Sequence, residues 1–154
     1  MAPLLVLLGV FGATIAWLRL RRGRWLLAPA GRAAAAAMFV FTGVSHFPLA
    51  ESMAAMVPPA VPAPLLVVYA TGVLEILGGI GLLVPRTRRA AAWCLALFLV
   101  AVFPANVYAA LNRVGLGGHA DGPGYLWLRA PLQVFFLAWV VGFGLVADRP
   151  RKGE

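Results

Sequence analysis

The chain has little negative charge and almost no sulfur. Among its 154 residues there are five acidic side chains, two histidines and one cysteine, Cys94. A single cysteine permits no intramolecular disulfide and no CxxC pair, which weakens any thiol redox mechanism within the chain. With Cys94 inside a hydrophobic run, the simplest role is that of a small buried apolar residue. Two isolated histidines, one of them His119 in a glycine-rich stretch, form no Cys/His cluster of zinc spacing and no evident bis-histidine haem pair. No phosphate loop, dinucleotide fingerprint or nucleophile elbow is present. The expectation is therefore no metal and no intrinsic cofactor.

What the chain has in abundance is apolar surface. It is 62% hydrophobic and 12% charged, where a soluble domain carries about 25% charge. Its mean hydropathy is +0.90. Five runs stand out: Pro3–Leu18, Ala30–Phe47, Ala63–Val84, Ala90–Leu111 and Tyr125–Ala147. The last three satisfy the roughly 20 residues a bilayer core requires, whereas the first two are short. The predicted fold is all-α, a polytopic membrane helical bundle. Arg32, near the start of the second run, is expected to snorkel to the interface. The alanine run Ala33–Ala37 and Gly78, Gly79 and Gly81 read as close-packing faces. The five tryptophans fit interfacial belts. Prolines between Pro48 and Pro62 preclude one regular helix there, with an interfacial turn expected at Ser52–Met56. The five glycines of Asn112–Gly124 predict a mobile loop.

The net charge of +8 would suit nucleic acid, but its placement does not. Eleven of the thirteen basic residues lie in three clusters: Arg19, Arg21, Arg22, Arg24 and Arg32; Arg86, Arg88 and Arg89; Arg149, Arg151 and Lys152. Each flanks a hydrophobic run, the pattern of the positive-inside rule. The same arginines suit anionic lipid headgroups. This places the basic loops and the C-terminus in the cytoplasm, and the N-terminus outside. The first run lacks a positive n-region, so it reads as an N-out anchor rather than a signal peptide. The expected domains are 1–24, an anchor with basic linker; 25–148, a membrane domain; and 149–154, a basic tail.

Function is sought where polarity is most costly. Glu75 is the one charge within Ala63–Val84, roughly 16 Å below the outer end of its segment at 1.5 Å per residue. Thr42, Ser45 and His46, then Thr71, Asn106, Arg129 and Gln133, also fall in the outer half or at mid-depth. Thr71 and Glu75, Thr42 and His46, and Arg129 and Gln133 are all i, i+4 pairs on one helix side. Converging, these stripes would line a pocket closed below and open to the outside. Glu75 and Arg129 are then candidates for an ion pair, with Asn106, Gln133 and His46 filling the remaining valences. Asn106 and Gln133 equally suit interhelical hydrogen bonding.

Four stretches carry a resemblance: Phe41-Thr-Gly-Val-Ser-His-Phe47, Leu74-Glu-Ile-Leu-Gly-Gly through Pro85-Arg-Thr-Arg-Arg89, Phe103-Pro-Ala-Asn-Val-Tyr-Ala-Ala110 and Leu128-Arg-Ala-Pro-Leu-Gln133. As a set they resemble the DoxX-like family of bacterial membrane proteins, from about Ala30 to Val146. The resemblance implies a four-helix membrane bundle, here preceded by an extra helix. The family takes its name from a subunit of an archaeal thiosulfate:quinone oxidoreductase. The positions that match its motifs are His46, Glu75, Asn106, Arg129 and Gln133. The extra helix and the solitary Cys94 depart from it and leave a thiol-based role without support.

Together these readings predict a membrane component of a redox system that binds quinone or another lipophilic molecule. In it, Glu75 is the proton carrier, and His46, Thr71, Asn106, Arg129 and Gln133 are ligand-binding residues. Electrons would come from a redox partner protein, and a homo-oligomer is compatible. The alternatives are a non-enzymatic assembly subunit and a small-solute transporter. The orientation is tested with alkaline phosphatase fusions. A fusion within Asn112–Gly124 is expected to be active and one after the C-terminal basic cluster inactive; the reverse pattern overturns the assignment.

Overall fold

The helix boundaries follow from proline, glycine and the reach of arginine. In the computed structural model, which describes residues 2–116 and 118–147, α1 spans Ala2–Arg22. It is 21 residues long and passes the expected end at Leu18, because arginine is a good helix former and continues the turn. Gly23, at φ +65°, ends it by donating its N–H to the Arg19 carbonyl. The second helix, α2, spans Leu27–Ser45 and takes Pro29 into its first turn, where no N–H is missed. A short α3, Ala50–Ala54, interrupts the proline-rich connection close to the expected turn. Ala63 adopts a left-handed conformation immediately before Pro64, the first residue of α4, Pro64–Leu83. Val84 is extended ahead of Pro85, and the Thr87 hydroxyl donates to the Gly81 carbonyl at 3.1 Å, closing the turn into α5, Arg88–Leu111. A 3-10 segment, His119–Tyr125, leads into α6, Leu126–Val141, and a π-helical turn, Gly142–Val146, follows.

The architecture is all-helical among the described residues, and five helical stretches are long and apolar enough to cross a membrane. The fifth is His119–Val146 taken as a whole. Large apolar side chains such as Leu66, Leu77, Leu97 and Val134 point outward, which suits a bilayer's acyl chains. The basic tail from Arg149 to Lys152 lies outside the described residues.

α2 sits between α1 and α4; α4 packs on α5, α5 on α6, and α6 with its π turn returns to α2. The helix predicted as an N-terminal anchor is docked along α2. Its Leu7 is fully buried, and Phe11 packs edge-on against Trp139 at 4.9 Å.

Small residues set the spacing. A Cβ on Gly43 would lie 2.7 Å from the Gly72 carbonyl oxygen, and one on Gly72 would lie 2.7 Å from the His46 Cβ. On the same α4 face, one on Gly79 would lie 3.0 Å from the Ala36 carbonyl. Gly78 and Gly81 do the same for α5, against Leu95 and Ala91. The close-packing role expected of Gly78, Gly79, Gly81 and the alanine run is seen. Backbones can approach this closely only without side chains, and in a bilayer van der Waals contact replaces the missing hydrophobic drive.

The apolar core lies toward the end that carries the arginine-rich turns. It gathers Ala34, Ala35, Met38 and Phe39 of α2, Leu82 of α4, Ala92, Leu95 and Leu99 of α5, and Phe136 and Val140 of α6. Arg32 corrects an expectation. It does not snorkel outward but is buried, its Nε donating to the Phe143 carbonyl at 2.9 Å. A guanidinium there binds a helix-end carbonyl that has no backbone partner to spare. Trp139 ties α6 to α2, donating Nε1–H to the Gly31 carbonyl at 2.9 Å, so it belongs to a helix seam while Trp17, Trp25, Trp93 and Trp127 are exposed.

The seam predicts a contrast. Gly72→Val should destabilise by about 1–3 kcal/mol, the usual cost of overpacking, because the obstacle includes backbone. Gly12→Ala, with nothing within 4 Å of the new Cβ, should be neutral or stabilising by up to ~1 kcal/mol. Unfolding in detergent compares them, and equal stability of the two variants would sink the seam.

Candidate polar site between the helices

Among the described residues the buried polar side chains besides Arg32 are Glu75, Asn106, His119 and Gln133. Glu75 is 7% exposed, one turn from Gly72 on the α4 face that meets α2. The glycine contact brings His46 of α2 against it, with Nδ1 3.8 Å from Glu75 Oε2. The same nitrogen lies 2.9 Å from the Thr42 carbonyl. A carbonyl only accepts, so Nδ1 carries the proton and donates it to Thr42, leaving Glu75 Oε2 without a hydrogen bond. The Thr42 hydroxyl donates to the Met38 and Phe39 carbonyls of its own helix at 3.1 Å.

Across the bundle, Arg129 of α6 donates through an NH2 group to Asn106 Oδ1 of α5 at 3.4 Å. Asn106 in turn donates to the Val102 carbonyl at 3.3 Å. One turn along α6, Gln133 donates its amide N–H to the Leu99 carbonyl. Pro104, inside α5, has no N–H and leaves the Val100 carbonyl without its helical donor.

The expected Glu75–Arg129 ion pair is not made. The two charges are near enough to influence one another, but no contact within 4 Å joins them. The α2–α4 seam turns Glu75 toward His46, while the α5–α6 seam turns Arg129 toward Asn106. Thr71 keeps its hydroxyl in its own helix, donating to the Val67 and Val68 carbonyls at 2.9 Å. Rather than lining one vestibule, the polar groups are pressed into two seams. Two hollows flank them. One, about 230 Å³, lies between α3 and the start of α4, beside Phe47, Glu51 and Tyr69. The other, about 340 Å³, lies between α5 and α6 and has Gln133 in an otherwise apolar lining.

The cluster is not self-sufficient. Glu75 Oε2, Arg129 Nε and Gln133 Oε1 are buried without a hydrogen-bond partner. Native interiors rarely leave such groups unpaired, because each costs about 1–3 kcal/mol, more if charged.

One further member escaped the sequence. His119, in the stretch expected to be a loop, is only 3% exposed. The 3-10 turn folds it under Tyr125, ring centroids 5.0 Å apart, and its Nδ1 contacts the Leu116 carbonyl at 2.6 Å. Its Nε2 is also buried and unpartnered. Tyr125 precedes Arg129 by one turn, so His119 roofs that end of α6. The signal available in the sequence was Tyr125 at i−4 from Arg129, which carries meaning only once the turn is formed.

A family model described as Domain of unknown function (DUF8561) matches residues 34–143. The chain belongs to this family. The DUF8561 region begins inside α2, leaves out α1, and contains Glu75, His46, Thr71, Asn106, His119, Arg129 and Gln133. No curated protein and no solved structure matches the chain.

The Arg129–Asn106 bond yields a test. Asn106→Leu removes the acceptor from a guanidinium that already lacks a partner at Nε, and should cost about 1–3 kcal/mol in detergent unfolding. Asn106→Asp, which keeps an acceptor, should cost clearly less. Equal losses would mean the residue serves only as bulk.

Proposed function

We propose that the protein is a DoxX-like component of a redox system in the bacterial cytoplasmic membrane, binding a quinone or a similar lipophilic molecule at the Glu75–Arg129 cluster. The observation that carries this reading is the trio of buried, unpartnered atoms on α4 and α6. A helical bundle that builds an acid, a guanidinium and an amide into its interior and leaves each with an open valence is suited to receiving those valences from a guest.

The residues divide the work. Arg129 Nε–H donates to an acceptor on the guest, and Asn106 holds the guanidinium in place. His46, half-buried at the rim with Nδ1 3.8 Å from Glu75 Oε2, is the route by which a proton reaches Glu75. Glu75 holds the proton at the guest. Electrons come from a partner protein. The likeness to DoxX-like proteins rests on the motifs around His46, Glu75, Asn106 and Gln133. The cluster then faces outward, and the arginine turns face the cytoplasm and its anionic lipids.

The glycine seam favours a second reading, a non-enzymatic membrane subunit in which the polar groups only hold helix register. The two differ in what Glu75→Gln does. In nanodiscs, the wild type is expected to bind decylubiquinone or its hydroquinone, and Glu75→Gln to bind at least about tenfold more weakly, the worth of one lost interaction of ~1.4 kcal/mol. Unchanged binding, or none in the wild type, would remove the ligand site and leave the assembly role.

A further inference from the structure

The hollow between α5 and α6 has its own chemistry. Its wall is Leu99, Val100, Phe103, Val134 and Leu137, and its mouth is lateral, since Val100 and Val134 are exposed on the outer surface of the bundle. A molecule dissolved among acyl chains can enter it without passing through water. At about 340 Å³ it lies at the small end of ligand pockets and suits one ring head. Gln133, 93% buried by its 7% exposure, is the polar side chain in that lining.

Gln133 has a defined polarity. Its amide nitrogen donates to the Leu99 carbonyl, which fixes which end of the amide is which. The other end, Oε1, is an acceptor, buried and unpartnered. Gln133 lines the hollow, so the molecule that fills it can bring the donor this oxygen lacks once the side chain turns it toward the cavity. A carbonyl brought to the same place sets lone pair against lone pair, whereas a hydroxyl completes the bond.

We infer that the α5–α6 hollow is a lateral, bilayer-facing site that selects lipophiles carrying a hydroxyl donor, of the hydroquinone or phenol class, through Gln133 Oε1. This deepens the proposed function and rests on its reading of the cluster as a lipophile site. It names the reduced, donor-bearing form as the one bound.

The matched probes are decylubiquinol and decylubiquinone, which share ring and tail and differ in donor against acceptor. Binding is measured on the full chain in nanodiscs, anaerobically for the quinol. Wild type is expected to bind the quinol at least about tenfold tighter, roughly one hydrogen bond. Gln133→Met keeps the bulk, removes the amide and should bring the two probes within about twofold. Val134→Trp, at the exposed mouth, should weaken both by about tenfold or more with thermal unfolding unchanged, and so tests the site even if Gln133→Met fails to fold. Equal or quinone-favouring binding that Val134→Trp still blocks overturns hydroxyl selection while the lipophile reading stands. Binding that ignores Val134→Trp but fails in Glu75→Gln overturns the lateral site and leaves the cluster. No binding of either probe by wild type overturns both.

Discussion

Two backbones touch where Gly43 of α2 meets Gly72 of α4, and the position of every polar group on those helices follows from that contact. Remove the hydrogen that stands for a side chain at either glycine and the new carbon lands within 3 Å of the other helix. The close approach locks the rotation of α4 about its axis. Glu75, one turn further along, is thereby turned into the seam rather than toward lipid, and His46 is pressed against it. Lipid offers no apolar driving force to hold helices together, so the fit of small residues has to supply it.

The bundle is thereby divided along its length. One end is dry and closely packed, built on the α2 alanines and the leucines of α4 and α5, and finished by Arg32 and Arg88 bonding to helix-end carbonyls and by Trp139 bonding to the Gly31 carbonyl. The other end holds the polar side chains. A rigid, apolar half gives a less complete half something to be built on, and helix-borne side chains hold their geometry better than loop-borne ones. The open valences of Glu75, Arg129 and Gln133 are tolerable only because the rest of the bundle is not sacrificed to them.

A bond between α5 and α6 gives the polar half its second distinguishing feature. The Gln133 amide nitrogen of α6 donates to the Leu99 carbonyl of α5. That bond occupies the donor end of the amide and leaves its acceptor end unpartnered in a residue that lines the α5–α6 hollow. The chemistry a guest can meet there is thus set by a backbone carbonyl of the neighbouring helix.

Hydrophobic run length, proline punctuation and the placement of arginine were enough to locate five membrane-compatible helices to within a few residues, since each is a local property of the chain. The heights of Glu75, Asn106, Arg129 and Gln133 along their own helices were equally legible, because rise per residue converts sequence position directly into height. Which side chains meet was not. The pairings of His46 with Glu75 and of Arg129 with Asn106, in place of the expected Glu75–Arg129 pair, depend on how each helix is rotated against its neighbours. The inward turn of Arg32 and the burial of His119 beneath Tyr125 depend on segments brought together from opposite ends of the chain or across a turn that exists only when folded. Periodicity assigns a residue to a face of a helix, but only contact between non-local small residues decides what that face looks at.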